Sequence, residues 1–105
     1  MKRILLLASG SGTLAAAIIK AVEVGEIQAE IVGLISDQVE AGVVGIANEN
    51  NIEVHLIPML SDRAQWDDEM LSVTTRLAPD LVVSAGFMRI LNKEYVETFK
   101  VLNSH

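Results

Sequence analysis

The sequence predicts an open, mostly parallel α/β sheet with helices on both faces, and three observations carry that prediction. Five short apolar runs of strand length alternate with four stretches of helical period along the whole chain. The apolar residues are chiefly Val, Ile, Leu and Ala with few aromatics, the set that suits strands buried on both faces and the helices packed on them. Gly, Pro, Asn and Asp punctuate the runs. Strands joined through helices run parallel, with right-handed crossovers, so the order is β-α-β-α-β-α-β-α-β, a Rossmann-like arrangement.

Each element has its own justification. Ile4 to Ala8 is an unbroken apolar run closed by glycines, as expected of a central strand. Leu14, Ala17, Ile18, Ala21 and Val22 recur at helical spacing, and Gly25 supplies a stop. Ile31 to Ile35 reads as a second strand ending at Ser36-Asp37. A helix is expected over Glu40 to Glu49 with Val43, Ile46 and Ala47 inward, although Gly42 and Gly45 weaken it. Glu53 to Ile57 is a third strand, stopped by Pro58. Asp62 to Ala78 is the strongest helix, with Trp66, Met70, Val73 and Leu77 on its core face. Asp62 and Gln65 resemble a capping pair, and Pro79 ends the helix. Asp80 to Ala85 is a fourth strand, Asn92 to Phe99 a short helix, and Lys100 to Ser104 a fifth strand. That last strand has no helix after it, which leaves one sheet face partly uncovered, so the sequence reads as truncated.

The 105 residues suit one small domain with one core. Fourteen acids against eight bases give a net charge of −6, which argues against a nucleic-acid partner. It does not argue against a small phosphate ligand, which backbone amides can hold. Without cysteine there is no disulfide, zinc-thiolate site or cysteine nucleophile. The apolar run at the start is too short for a signal peptide, and no stretch reaches the length of a membrane span. A soluble, cytoplasmic protein without a membrane partner is expected.

Ligands of open parallel sheets bind at the carboxyl ends of the strands, which here are Ser9 to Thr13, Ser36-Asp37, Ile57 to Asp62, Ala85 to Arg89 and Asn103 to His105. Ser9-Gly10-Ser11-Gly12-Thr13 joins the first strand to the first helix. Its glycines let backbone approach a ligand, and the free amides of a helix start favour an anion such as phosphate. Gly10-x-Gly12-x-x-Ala15, with Asp37 ending the second strand, also fits a loose dinucleotide fingerprint, so an NAD-type oxidoreductase half-domain is a rival reading. Asn103-Ser104-His105 ends the fifth strand. Asn103 and His105 project to one face, where an amide can donate to an oxyanion and an imidazole can move a proton. Alone, such a pairing is weak and arises by chance. Ser84 to Leu91 could form a slot for a flat ligand or simply a hydrophobic turn. Arg63, at the start of the long helix, is either an anion partner or a solvated side chain. His55 and Trp66 read as structural.

Taken together, these segments resemble the phosphoribosylglycinamide formyltransferase (glycinamide ribonucleotide transformylase) family, over the N-terminal half of its fold. The shared features are the apolar strand with its Ser-Gly-x-Gly-Thr loop at Ser9 to Thr13, and Arg63 before Trp66-Asp67. The most specific is Pro79-Asp80-Leu81-Val82-Val83-Ser84-Ala85-Gly86-Phe87-Met88-Arg89-Ile90-Leu91, followed by Leu102-Asn103-Ser104-His105. The resemblance implies formyl transfer from 10-formyltetrahydrofolate, a folate co-substrate, to the amine of glycinamide ribonucleotide in de novo purine (IMP) biosynthesis, with no metal. It implies that Gly10, Ser11, Gly12, Thr13 and Leu14 border the substrate phosphate and ribose. Arg63, Met88, Arg89, Ile90 and Leu91 would line the folate site together with Asn103. Asn103 and His105 would stabilise the tetrahedral intermediate, with His105 as proton donor.

The resemblance also implies an aspartate and a pterin-holding loop beyond His105, so residues 1–105, the nucleotide-binding part, are expected to turn over little alone. Small-molecule substrates and a monomer or homodimer are expected. The sequence departs from the family pattern where Thr13 runs straight into Leu14 without an intervening Asn, and in a shorter stretch from Tyr95 to Asn103.

Overall fold

The computed structural model describes residues 1–9, 13–38, 42–59, 62–87 and 91–104. Its elements are β1 (Lys2–Ala8), α1 (Thr13–Glu23), β2 (Ala29–Ser36), α2 (Gly42–Glu49), β3 (Val54–Leu56), α3 (Arg63–Leu77), β4 (Leu81–Ala85), α4 (Lys93–Thr98) and β5 (Val101–Ser104). All pairings are parallel and the strand order is β3-β2-β1-β4-β5. The predicted order of nine elements is the observed one.

Two apolar clusters separate the helices onto opposite faces. Ile4, Leu6, Ala8 and Leu34 face α1 and α2 through Ala15, Ile19, Ile18 and Val44. Leu5, Leu7, Ile35 and Val82 face α3 and α4 through Trp66, Met70, Leu77 and Tyr95. Strand β1 is central and its residues Leu5 to Ala8 are fully buried, which explains the unbroken apolar run. Its first residues, Lys2 and Arg3, still pair with β2 at the sheet's amino end, where water reaches them, so the strand starts before its apolar signal does.

Helix α1 departs from the expected face. Ala15 and Ile19 are its buried residues, Leu14, Ile18 and Val22 flank them, and Ala17 is exposed. A helix apolar nearly all round gives no polar contrast by which its inward line can be fixed from sequence. In β2, Ile4 pairs with Ile31 and Leu5 with Gly33, so the register slips by one residue there. A Cβ on Gly33 would lie 2.9 Å from Leu77 Cδ1, so this glycine lets α3 sit close on the sheet.

Helix α3 begins as its capping signal predicts. Asp62 accepts from the Ala64 and Gln65 amides at 3.0 and 3.3 Å. It ends at Ala78 in the left-handed region, just before Pro79. Arg3 closes that end, donating from Nη2 to the Leu77 carbonyl at 2.7 Å and from Nε to the Ala78 carbonyl at 3.1 Å. Thr74 and Tyr95 share a buried hydrogen bond of 2.8 Å that joins α3 to α4. Burial pushes the Tyr95 phenol up to about 12, against the opposing effect of that bond.

His55, expected to be structural, does belong to a tie between β3 and α3. Its Nε2 pairs with Glu53, and Arg76 Nη2 lies 3.5 Å from the same carboxylate. The His55 hydrogen bond foremost, with the Arg76 charge, holds the Glu53 carboxyl below its ordinary value. A depressed folded-state pKa contributes stability above the unfolded value, about 4.3, and that contribution disappears as pH falls through the folded value. Glu53→Gln should therefore flatten the acid limb of the stability profile. Urea midpoints at pH 3 and pH 6 for both proteins check this; an equal drop in the two would exclude a role for the tie.

Candidate active site

The carboxyl ends of the strands form one edge of the molecule, and the strand order singles out a place along it. The chain winds outward from β1 through β2 to β3, then returns to the other side of β1 for β4 and β5. The loops after β1 and β4 therefore leave in opposite directions, the arrangement that opens a ligand crevice in doubly wound sheets. Ser9 and Thr13 flank one side of that crevice and Ala85, Gly86 and Phe87 the other.

On the β1 side, Thr13 is the exposed first residue of α1. Leu14 is half-buried and packs on the α1 face of the core, so what it can offer a ligand is its backbone amide. Ser9 is buried and its hydroxyl donates to Asp37 Oδ1 at 2.6 Å. Gly10, Ser11 and Gly12 lie outside the described residues.

On the β4 side, Gly86 has φ 74, a conformation that glycine adopts without steric cost, and among the described residues nothing beyond its chain neighbours lies within 4 Å of where its Cβ would be. Backbone geometry rather than space requires glycine here. Gly86→Ala should lower stability by about 1–2 kcal/mol, and Gly86→Asn by less, because Asn tolerates this region. Chemical denaturation of the pair checks this, and equal losses would refute it.

Phe87 stacks on Trp66 with centroids 6.2 Å apart and planes 14° apart. Trp66 is fully buried and donates from Nε1 to the Ile57 carbonyl at 3.0 Å. One indole thus links the segments that follow β3 and β4 to the start of α3. Arg63 stands above it, its guanidinium carbon 4.9 Å from the ring centroid and its Nε 2.9 Å from Asp67 Oδ1. It is held in place as well as open to water. Leu91 is half-buried and packs on the α3 face of the core. Met88, Arg89 and Ile90 lie outside the described residues.

Asn103 is exposed on the edge strand β5, in register with Ser84, which is in turn in register with Leu7. These three residues form a lateral row across β1, β4 and β5. Two strand spacings separate Asn103 from β1, roughly 10 Å. His105 lies outside the described residues. Leu102, beside Val83, is 48% exposed.

The described residues hold no cluster of three or more side chains able to bind a metal, and no helix long and apolar enough to cross a membrane. The dinucleotide reading needs an acid at the end of β2 that a ribose can reach. Asp37 is 5% exposed and accepts from Ser9, so it does not meet that need.

The family model described as formyl transferase matches residues 2–105, nearly the whole chain. The chain belongs to this family. It is 37% identical to the phosphoribosylglycinamide formyltransferase of Haemophilus influenzae over 109 residues, covering 100% of this chain and 51% of that protein. Against the enzyme of the same name from Mycobacterium tuberculosis H37Rv the identity is 36%, covering 98% of this chain and 49% of the relative. The structure of a phosphoribosylglycinamide formyltransferase from Coxiella burnetii superposes with a TM-score of 0.89 at 32% identity, over 97% of this chain and 50% of that one. The chain spans about half the length of the curated relatives it matches. The five-stranded sheet is thus the formyl transferase fold, and the resemblance seen in the sequence extends over the whole chain.

Two features of the site escaped the sequence reading. One is the Ser9–Asp37 bond, because Asp37 was weighed only as a ribose acceptor. Each of the two residues directly follows a strand that the alternating pattern makes parallel, and this was the available signal. The other is the Trp66–Phe87 stack, which joins residues with no local sequence relation.

Proposed function

We propose that residues 1–105 are the nucleotide-binding part of a phosphoribosylglycinamide formyltransferase, a cytoplasmic enzyme of purine biosynthesis acting on small molecules. The observation that carries this reading is the placement of its motif residues. Thr13 and Leu14 flank the β1–β4 crevice, and Asn103 sits two strands away in register with the crevice floor. A ribonucleotide with its phosphate on the amides between Gly10 and Leu14 would lie across β4 and bring its far end, the glycinamide amine, toward β5.

The formyl donor is 10-formyltetrahydrofolate, lying along the segment from Phe87 to Leu91 with Arg63 at its edge. The amine nitrogen attacks the formyl carbon, and a C–N bond forms as the carbonyl oxygen takes up negative charge. The Asn103 amide donates to that oxygen. The bond from the formyl carbon to folate N10 then breaks, and the proton lost by the amine passes to N10, with His105 as carrier. The products are the N-formyl ribonucleotide and tetrahydrofolate. Neither a covalent enzyme intermediate nor a metal is needed, since bringing two reactants together supplies much of the rate.

The test is a formyl transfer assay on the native protein that carries this sequence, with both substrates. Formation of the formylated ribonucleotide, dependent on both, supports the reading. Hydrolysis of the folate without transfer, or no reaction, contradicts it.

A further inference from the structure

The polar or charged side chains buried among the described residues are Ser9, Ser36, Asp37, Thr74 and Ser84. All but the last have hydrogen-bonding partners within the fold. Ser9 donates to Asp37, Ser36 exchanges bonds with the Gln38 backbone, and Thr74 pairs with the Tyr95 phenol. The Ser84 hydroxyl has no partner in the protein. Among the described residues no fully sealed side-chain nitrogen or oxygen is left unpaired. The hydroxyl is therefore the part of this 7%-exposed residue that the surface reaches.

Side chains alternate across a strand, so the face onto which Ser84 opens follows from its neighbours. Val82 belongs to the apolar cluster on the α3 side of the sheet, and Ser84 points the same way, two residues nearer the carboxyl end of β4. Val101 packs on that cluster too, which puts Asn103 on this face. Ser84 and Asn103 are in register on adjacent parallel strands, a spacing of about 4.8 Å. Phe87 and Leu91, from the segment after β4, pack on the same cluster. The hydroxyl thus opens beside Asn103, on the face that carries the segment read as the folate side.

The fold itself has no use for a hydroxyl here. The residues next to it on this face, Leu7 and Val82, are apolar and fully buried. A nearly buried polar group without a partner contributes nothing to the folded state, and alanine would fill the place without that desolvation. A ligand can use it, because a hydroxyl offers one donor and two acceptor lone pairs.

We propose that Ser84 is a specificity-determining contact for the formyl donor, its hydroxyl forming a hydrogen bond with a polar atom of the folate held beside Asn103. This rests on the reading of that face as the folate site.

The test uses the native protein that carries this sequence, with Ser84→Ala and Ser84→Cys. Alanine removes the hydroxyl, and cysteine keeps a polar tip that donates only weakly. Calorimetric titration with 10-formyltetrahydrofolate should show an affinity about fivefold lower in both variants. Affinity for glycinamide ribonucleotide should stay within about twofold. The urea midpoint of Ser84→Ala should not fall, since the hydroxyl has no bond in the fold to lose. Equal folate affinity in all three proteins would mean that the hydroxyl meets only water, and would overturn the proposal. A lower urea midpoint with folate affinity unchanged would give the hydroxyl a protein partner and overturn it as well. Loss of ribonucleotide affinity instead would assign the contact to the other substrate, with the same consequence. Failure of the unaltered protein to bind 10-formyltetrahydrofolate would overturn the folate reading and the proposal with it, a result distinct from the other three.

Discussion

Trp66→Ala is expected to lower the unfolding free energy by about 3–5 kcal/mol, the range for removing a large aromatic from a packed interior. Three losses combine. The indole is fully buried, so its removal leaves a large cavity between α3 and the sheet. The Ile57 carbonyl loses the Nε1 donor 3.0 Å away. Phe87 loses its stacking partner, and with it the segment after β4 loses an anchor. The variant should therefore disturb the proposed folate side even under conditions in which it stays folded. Urea denaturation gives the first effect; a cost below about 1 kcal/mol, the level of a surface change, would mean that the indole is not the keystone described. Trp66→Phe should recover much of the packing but not the hydrogen bond, leaving a deficit of about 1 kcal/mol.

Asn103→Ala is expected to reduce formyl transfer by the native protein about 10²–10³-fold, the usual effect of removing one oxyanion donor. In residues 1–105 Asn103 is exposed on the edge strand, so the stability of that stretch on its own should change by less than about 0.5 kcal/mol. The combination is what matters: a large loss of turnover with an unchanged denaturation midpoint assigns Asn103 to the reacting atoms. A rate within twofold of the unaltered protein would remove it from the mechanism.

The sequence disclosed the sheet more fully than the site, and the residues show why. Leu5, Leu6, Leu7 and Val82 are buried, so β1 and β4 announce themselves as apolar runs without alternation. The start of β2 at Ala29–Glu30 was hidden because Glu30 is exposed and polar, although it pairs with Arg3 across the ladder. The inward line of α1 was misplaced by about one position, since almost every residue from Leu14 to Val22 is apolar. Segments that offer backbone to a ligand, as proposed for Ser9 to Thr13, leave a compositional mark in their glycines. Contacts made by side chains across elements leave none. Nothing local in Ser9 or Asp37 says that their strands are neighbours in register, whereas the i,i+3 and i,i+4 spacing of Arg63 to Trp66 and Asp67 within α3 was a signal open to the sequence. The placement of Asn103 beside Ser84 follows from strand order, which a sequence of alternating elements restricts without fixing.

The most direct test of the central claim, that the β1–β4 crevice takes a ribonucleotide phosphate with a folate beside it, is an NMR titration of the 15N-labelled protein. Glycinamide ribonucleotide and 10-formyltetrahydrofolate would be added separately, with NAD as the competing ligand. The account predicts saturable shifts at residues 10–14 with the ribonucleotide, at residues 87–91 and Asn103 with the folate, and none with NAD. Shifts at residues 10–15 with NAD, and none with the ribonucleotide, would contradict it.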